Sequence, residues 1–172
     1  MAHAAQSANI KPAQTVDLGQ LTVDHNQTIA AKLAAITNPK CVACRTDWAN
    51  DERFPDPLAG QETILYAASA WHFGCSMPQD VLKASVEADG KILGTPKPLI
   101  ELAVGNPRPK LDDTMPLVAA GQFFVDAGGY RRALHFELLG AGRYLDDVWL
   151  RSGIQWVDYW WFLVLEELPS EA

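Results

Sequence analysis

The most specific chemical pattern in this chain is a pair of ligand-like spacings. Cys41-Val42-Ala43-Cys44 sets two thiols at a C-x-x-C interval, and His72-Phe73-Gly74-Cys75 sets an imidazole and a thiol at the same interval. Together they offer Zn²⁺ four tetrahedral ligands, because one tight turn presents both members of each pair to one ion. Against this, cysteine is a small, commonly buried hydrophobe. Arg45 follows Cys44 where zinc knuckles usually carry glycine. A redox dithiol at Cys41 and Cys44 needs a thiol acidified at a helix start, whereas this motif follows Pro39. No cofactor is the first expectation, and zinc on Cys41, Cys44, His72 and Cys75 is the alternative.

His135 and Glu137 lie two apart in Tyr130–Leu139, which reads as a strand, so both point to one face. With Gly129 six positions before His135, this stretch resembles the start of the first cupin motif. That resemblance implies a metal held by inward His and Glu side chains inside a β-barrel. It covers Gly129 to Glu137 alone. The family's second histidine position is Glu137 here, and no histidine follows His135 to supply its second motif. The plain alternative is the polar outer face of a half-solvated strand, with Arg131 as the partner charge.

The remaining polar groups make no catalytic constellation. Asp112-Asp113 and Asp146-Asp147 are adjacent pairs, and neighbours on a strand point to opposite faces. Gly140-Ala141-Gly142 and Ala127-Gly128-Gly129 lack the G-x-G-x-x-G spacing and the P-loop lysine. No G-x-S-x-G elbow occurs. No catalytic residue is nominated.

Tryptophan is concentrated near the C-terminus: Trp149, Trp156, Trp160 and Trp161 are four of the six. On a strand, Trp156 and Trp160 share one face and Trp161 takes the other. Two aromatic faces need two covers. One is the core. The other is a partner subunit or a flat ligand such as a sugar ring, unless a two-layer core buries both. These four residues are the candidate interface.

The elements that position these groups follow from periodicity. Residues 1–15 have no apolar face and contain Pro12, so they read as an extended arm; residues 16–172 read as one globular domain. Val16–Val23 alternates loosely, as a short strand does. Asn26–Ile36 reads as a helix capped by Asn26, with Ile29, Leu33 and Ile36 on one stripe. Thr37-Asn38-Pro39 stops it. Cys41–Arg45 is a short strand or turn. Residues 46–61 form a long loop with two prolines and four acidic residues. Glu62–Phe73 reads as a helix for its alanines, with strand as the alternative.

Beyond Val81 the texture changes. Leu82, Ala84 and Val86 alternate with Lys83, Ser85 and Glu87, and Asp89-Gly90 then leads into Lys91-Ile92-Leu93, a hairpin signature. Pro98–Val104 reads as a further strand. Leu117–Val125 and Tyr130–Leu139 read as a second hairpin, followed by Tyr144–Leu150. Ile154–Leu165 carries a helix stripe with a capping box at Ser152 and Gln155, but its aromatic and β-branched content favours a strand that is apolar on both faces. The expected class is α+β and β-rich. It comprises an antiparallel β-sandwich or barrel over about residues 81–166, with one or two helices in the N-terminal half.

Composition excludes some function classes. The balance of 14 basic against 21 acidic residues, net −7, disfavours nucleic acid and anionic membranes as partners. The best apolar run, Trp160–Leu165, is far short of the ~20 residues a bilayer requires. The opening residues are small and polar, without a basic region before an apolar block, so no secretory signal and cytoplasmic synthesis are expected. Three cysteines do not make a disulfide framework. The leading expectation is a non-enzymatic assembly subunit that self-associates or docks in a larger complex. Bacteriophage virion components such as capsid or tail proteins are an architectural analogy. The alternatives are a metal-binding or cupin-like protein, and a carbohydrate or small-molecule binder with a tryptophan platform.

Overall fold

A computed structural model describes residues 9–36, 48–61, 63–104, 116–137, 144–150 and 155–169, together with the backbone of 41–43, 138–139 and 142–143. Three helices and nine strands are found among them. The strands are β1 (Gln14–Asp24), β2 (Cys41–Ala43), β3 (Thr63–His72), β4 (Ile92–Leu93), β5 (Leu117–Val118), β6 (Phe124–Val125), β7 (Arg131–Leu139), β8 (Gly142–Leu150) and β9 (Trp161–Glu167). They form one mixed, open sheet of order β1-β3-β9-β5-β7-β8-β2, with β4 on β9 and β6 on β7. Pairing is parallel between β2 and β8 and between β5 and β9, and antiparallel elsewhere.

The chain is β-rich α+β, as its alternation implies. The described strands make a single sheet in place of an antiparallel sandwich or barrel. The reason lies in two segments expected to be strands. Gln79–Glu87 is helix α2 and Pro96–Val104 is helix α3, so helices also occupy the stretch beyond residue 81. In α2, Leu82, Ser85 and Val86 are buried at the i, i+3, i+4 spacing of one helix face. Asp89-Gly90 does not turn a hairpin. Gly90 has φ +71°, its N–H donates to Glu87 O, and the Lys91 N–H donates to Val86 O, which ends α2 in a left-handed cap. Helix α3 opens on Pro96, whose fixed φ suits a first turn, and buries Leu99, Ile100 and Ala103.

The opposite error holds for Thr63–His72, expected as a helix and found as β3. Ile64, Tyr66, Ala68 and Ala70 are buried in alternation, which is the period of a strand. In β1 the alternation switches parity at a bulge. Leu18 is inserted between Asp17 and Gly19, whose φ is +87°, so Leu18 faces the core before the bulge and Leu21 and Val23 after it. Helix α1 is shorter than expected, Ile29–Ala34, and its cap is Thr28, whose hydroxyl accepts the Ala31 N–H at 3.1 Å. Asn26 instead accepts the Gly60 N–H. The stop at Thr37-Asn38-Pro39 lies outside the described residues.

Each face of the sheet has its own core. On one, Leu163, Leu165 and Trp161 of β9 pack with Ile29 of α1 and Leu99 and Ile100 of α3. On the other, Phe162 and Val164 pack with Leu82 and Val86 of α2 and with Met77, Trp156 and Trp160. The apolar two-faced strand is therefore β9, and helices of its own chain cover it. Residues 1–8 of the expected arm lie outside the described residues. Beyond them, Ile10 packs on the α2 core and its N–H donates to Ser85 Oγ.

Candidate functional site

The expected zinc ligands do not converge among the described residues. Cys41 contributes its backbone to β2, and Cys44 is outside the described residues. Cys75 is exposed with a free thiol. His72 ends β3, stacks on Trp161 at 5.0 Å between ring centroids, and donates through Nε2 to Asp158 O at 2.5 Å. No group of three His, Cys, Asp or Glu side chains among the described residues is arranged to hold a metal.

His135 is not on a solvated outer face. It is 6% exposed, lies under the α2 side of the sheet, and meets Trp160 edge-on at 5.5 Å. Its Nε2 is 3.5 Å from Glu137, its Nδ1 is buried without a partner, and Asp146 stands opposite on β8. Burial and then the Glu137 charge push the Tyr159 phenol upward nearby.

The tryptophans separate sharply. Trp156, Trp160 and Trp161 are 1%, 7% and 5% exposed, and the chain's own residues cover them. Trp156 and Trp160 belong to the turn before β9 and not to a strand, with Trp156 joined to Met77 by an isolated bridge. Trp149 is 56% exposed.

The most densely bonded polar group is buried between α3, β3 and the 48–61 segment. Asp56 accepts from His25 Nδ1 at 2.8 Å, from Lys97 Nζ at 3.0 Å and from the Leu58 N–H at 2.9 Å. His25 Nε2 meets the Tyr66 hydroxyl at 3.2 Å. Lys97 Nζ also donates to His25 O at 2.7 Å and lies 3.6 Å from Asp51, which accepts the Ile29 N–H. Burial pushes the Asp56 carboxyl up, but the Leu58 N–H, His25 and Lys97 outweigh it and hold it below the usual carboxylate range. Burial, with the Glu167 and Asp56 charges, pushes Tyr66 up to about 12. His25, Tyr66 and Lys97 are at most 5% exposed. A carboxylate–imidazole–phenol chain so enclosed offers a substrate no approach. Its physical role is to tie the 48–61 segment to the sheet and to α3.

That segment forms one wall of an open cleft of about 870 Å³ lined by Trp48, Arg53, Phe124, Asp126, Arg132 and Asp147, among others. The other wall is the β6–β7–β8 end of the sheet. Phe124, Arg132 and Trp149 stand opposite one another across these strands, and so share one face. Arg132 donates through Nε to Asp126 at 2.7 Å and through Nη1 to Asp147. Those two carboxylates raise its basicity further. Asp126 also accepts the Gly128 and Tyr130 N–H groups of the β6–β7 turn. The Tyr130 bond and Arg132 hold its carboxyl low. Trp48 stacks on Phe124 at 5.6 Å, Arg53 lies over the Phe124 ring at 5.2 Å, and the Trp48 Nε1–H is buried without an acceptor.

Of the cleft's side chains, the sequence reading nominated none; Trp149, which does not line the cleft but is the cross-strand partner of Arg132, was one of the four tryptophans it did nominate. A strand register is needed to see Arg132 beside Asp147, fifteen residues away. The Asp126-Ala-Gly-Gly turn was the one local signal. No family model matches the chain, and no curated protein or solved structure does. No helix among the described residues is long and apolar enough to cross a membrane.

Proposed function

We propose that this is a non-catalytic binding protein whose working surface is the cleft at the β6–β8 end of the sheet, extended by Trp149, the cross-strand partner of Arg132. The observation that carries the reading is the exposure of Trp149 directly opposite Arg132, while the other three C-terminal tryptophans serve the interior. An exposed indole beside a bonded guanidinium–carboxylate pair offers a stacking face next to directional polar groups, and tryptophan and arginine both recur at binding hot spots. A volume of about 870 Å³ falls within the roughly 300–1,000 Å³ range of small-molecule sites. Screening the full chain by tryptophan fluorescence and calorimetry against small-molecule libraries tests it. A saturable ligand whose binding is lost in Trp149→Ala supports the reading, and a ligand that binds Trp149→Ala unchanged overturns it.

A second reading is a subunit that self-associates or docks in a larger assembly, as in a virion. It draws support from the same end of the sheet, where Val125 of β6 is 64% exposed, two strands from Trp149. Light scattering separates the two. An oligomer that dissociates on Trp149→Ala and Val125→Ser substitution favours assembly. A monomer of unchanged mass favours the small-ligand reading.

A further inference from the structure

We propose that the cleft takes a short neutral carbohydrate, one ring stacked on Trp149 and a vicinal pair of its hydroxyls bridging Arg132 and Asp147. This deepens the binding reading and rests on it. Arg132 has five N–H donors, of which Nε serves Asp126 and one on Nη1 serves Asp147. Asp147 uses Oδ2 for that bond, and among the described residues no donor occupies its other carboxylate oxygen. A free donor and a free acceptor therefore stand side by side. A vicinal diol has the matching demand, since each hydroxyl accepts one hydrogen bond and donates another.

Charge argues for a neutral ligand. The cleft lining carries Glu52, Asp126 and Asp147 against Arg53 and Arg132, three anions to two cations. A phosphate or carboxylate ligand would meet net repulsion. Arg132 is already neutralised by its two carboxylates, so what remains is directional hydrogen bonding and not a free charge.

The aromatic component is placed to match. Arg132 and Trp149 are cross-strand partners, so their side chains rise from the same face within one strand spacing of each other. Tyr130 meets Trp149 edge-on at 5.4 Å and braces the indole. A pyranose presents an apolar C–H face to such a ring while its equatorial hydroxyls project sideways, toward Arg132 and Asp147. The size of the cleft suits an oligosaccharide better than a single ring.

The test is a titration of the full chain with maltotriose, cellotriose, chitotriose and mannotriose. It is followed by tryptophan emission and calorimetry, with choline chloride as a cationic probe. The expected result is saturable binding of at least one trisaccharide. Trp149→Ala and Arg132→Met should each weaken it at least tenfold, and Val157→Ala, exposed elsewhere, should leave it unchanged. Trp149→Phe guards against misfolding: it keeps a stacking ring and should bind with intermediate affinity. Saccharide binding indifferent to Trp149→Ala overturns the proposal. Binding of choline or another non-saccharide that Trp149→Ala abolishes, with no saccharide bound, overturns the carbohydrate assignment and leaves the binding reading standing. No ligand of any class, on folded protein, overturns both.

Discussion

Removing the charge of Lys97 should cost the fold a large share of its stability, and by a route that pH reveals. Lys97 is 5% exposed and its ammonium lies 3.0 Å from Asp56 and 2.7 Å from His25 O. Lys97→Met keeps the aliphatic stem but leaves Asp56 buried with only His25 and the Leu58 N–H to answer it. Breaking one side of a buried pair costs about 3–5 kcal/mol. Because His25 still donates, about 3 kcal/mol is expected, against a total of roughly 5–15 kcal/mol for a domain. The pH dependence has a definite sign. In the wild type the Asp56 carboxyl is held low, so its contribution is full above the unfolded value of about 4 and is lost as pH falls through the lower folded value. In Lys97→Met burial dominates, the folded carboxyl moves upward, and that contribution shrinks. The gap between wild type and variant should therefore be widest at neutral pH and narrow in acid. Urea unfolding at neutral and acidic pH, followed by circular dichroism, measures it. The Lys97→Met/Asp56→Asn double variant should lose at least about 1 kcal/mol less than the sum of the singles. Additive singles, a neutral-pH cost below about 1 kcal/mol, or a gap that widens in acid would refute the coupling. If Lys97→Met does not fold, Asp51→Asn perturbs the same ammonium from 3.6 Å and should show a smaller loss.

Three further outcomes follow from the packing. Tyr66→Phe removes the hydroxyl that meets His25 Nε2 and should cost about 0.5–1.5 kcal/mol in denaturant unfolding; alkaline difference spectra of the wild type should show a phenol titrating near 12 that this variant lacks. Acrylamide should reach Trp149 and spare Trp156, Trp160 and Trp161, so Trp149→Phe should remove most of the readily quenched emission. Gly121→Ala would drive a methyl into the Leu93 carbonyl where β4 meets the 119–121 turn, and overpacking against backbone should destabilise by about 1–3 kcal/mol, whereas Gly60→Ala meets open space and should cost less despite its positive φ.

The elements legible in the sequence were those whose pattern admits one period. β7 alternates Leu134 and Phe136 against Arg131, Ala133 and His135, and pairs with β8 over nine positions. β9 is apolar at five consecutive buried positions, which fits a strand with both faces covered. Where a segment admits two periods, context decides. Leu82, Ala84 and Val86 alternate, yet Leu82 and Val86 also fall one helical turn apart, and Pro78 before them with Gly90 after them makes helix the cheaper solution. In β3 the alanines at 67, 68 and 70 suggested a helix, but the strand is hydrogen-bonded to β1 and β9 on its two edges, and Ala68 and Ala70 continue the buried alternation of Ile64 and Tyr66.

The candidate site was less legible because its parts come from separate elements. Asp51 and Asp56 looked like solvated charges of a polar loop. Lys97 stood just ahead of Pro98–Val104, the segment read as a strand, and carried no signal of its own. Only their convergence in space turns loop acidity into an anchor, since a carboxylate enters a core when a cation and N–H donors meet it there. The same holds for the cleft. Arg132 and Asp147 read as the polar rhythm of two strands until the β7–β8 register sets them on one face. Trp149 is the instructive case. Its type matched Trp156, Trp160 and Trp161, and its sequence neighbourhood grouped it with them. Strand parity separates it: on β8 it shares a side with Leu145 and Asp147 and stands opposite Arg132. A tryptophan cluster in a sequence is thus two populations with different fates: three indoles that complete the core and one left in solvent beside a bonded ion pair.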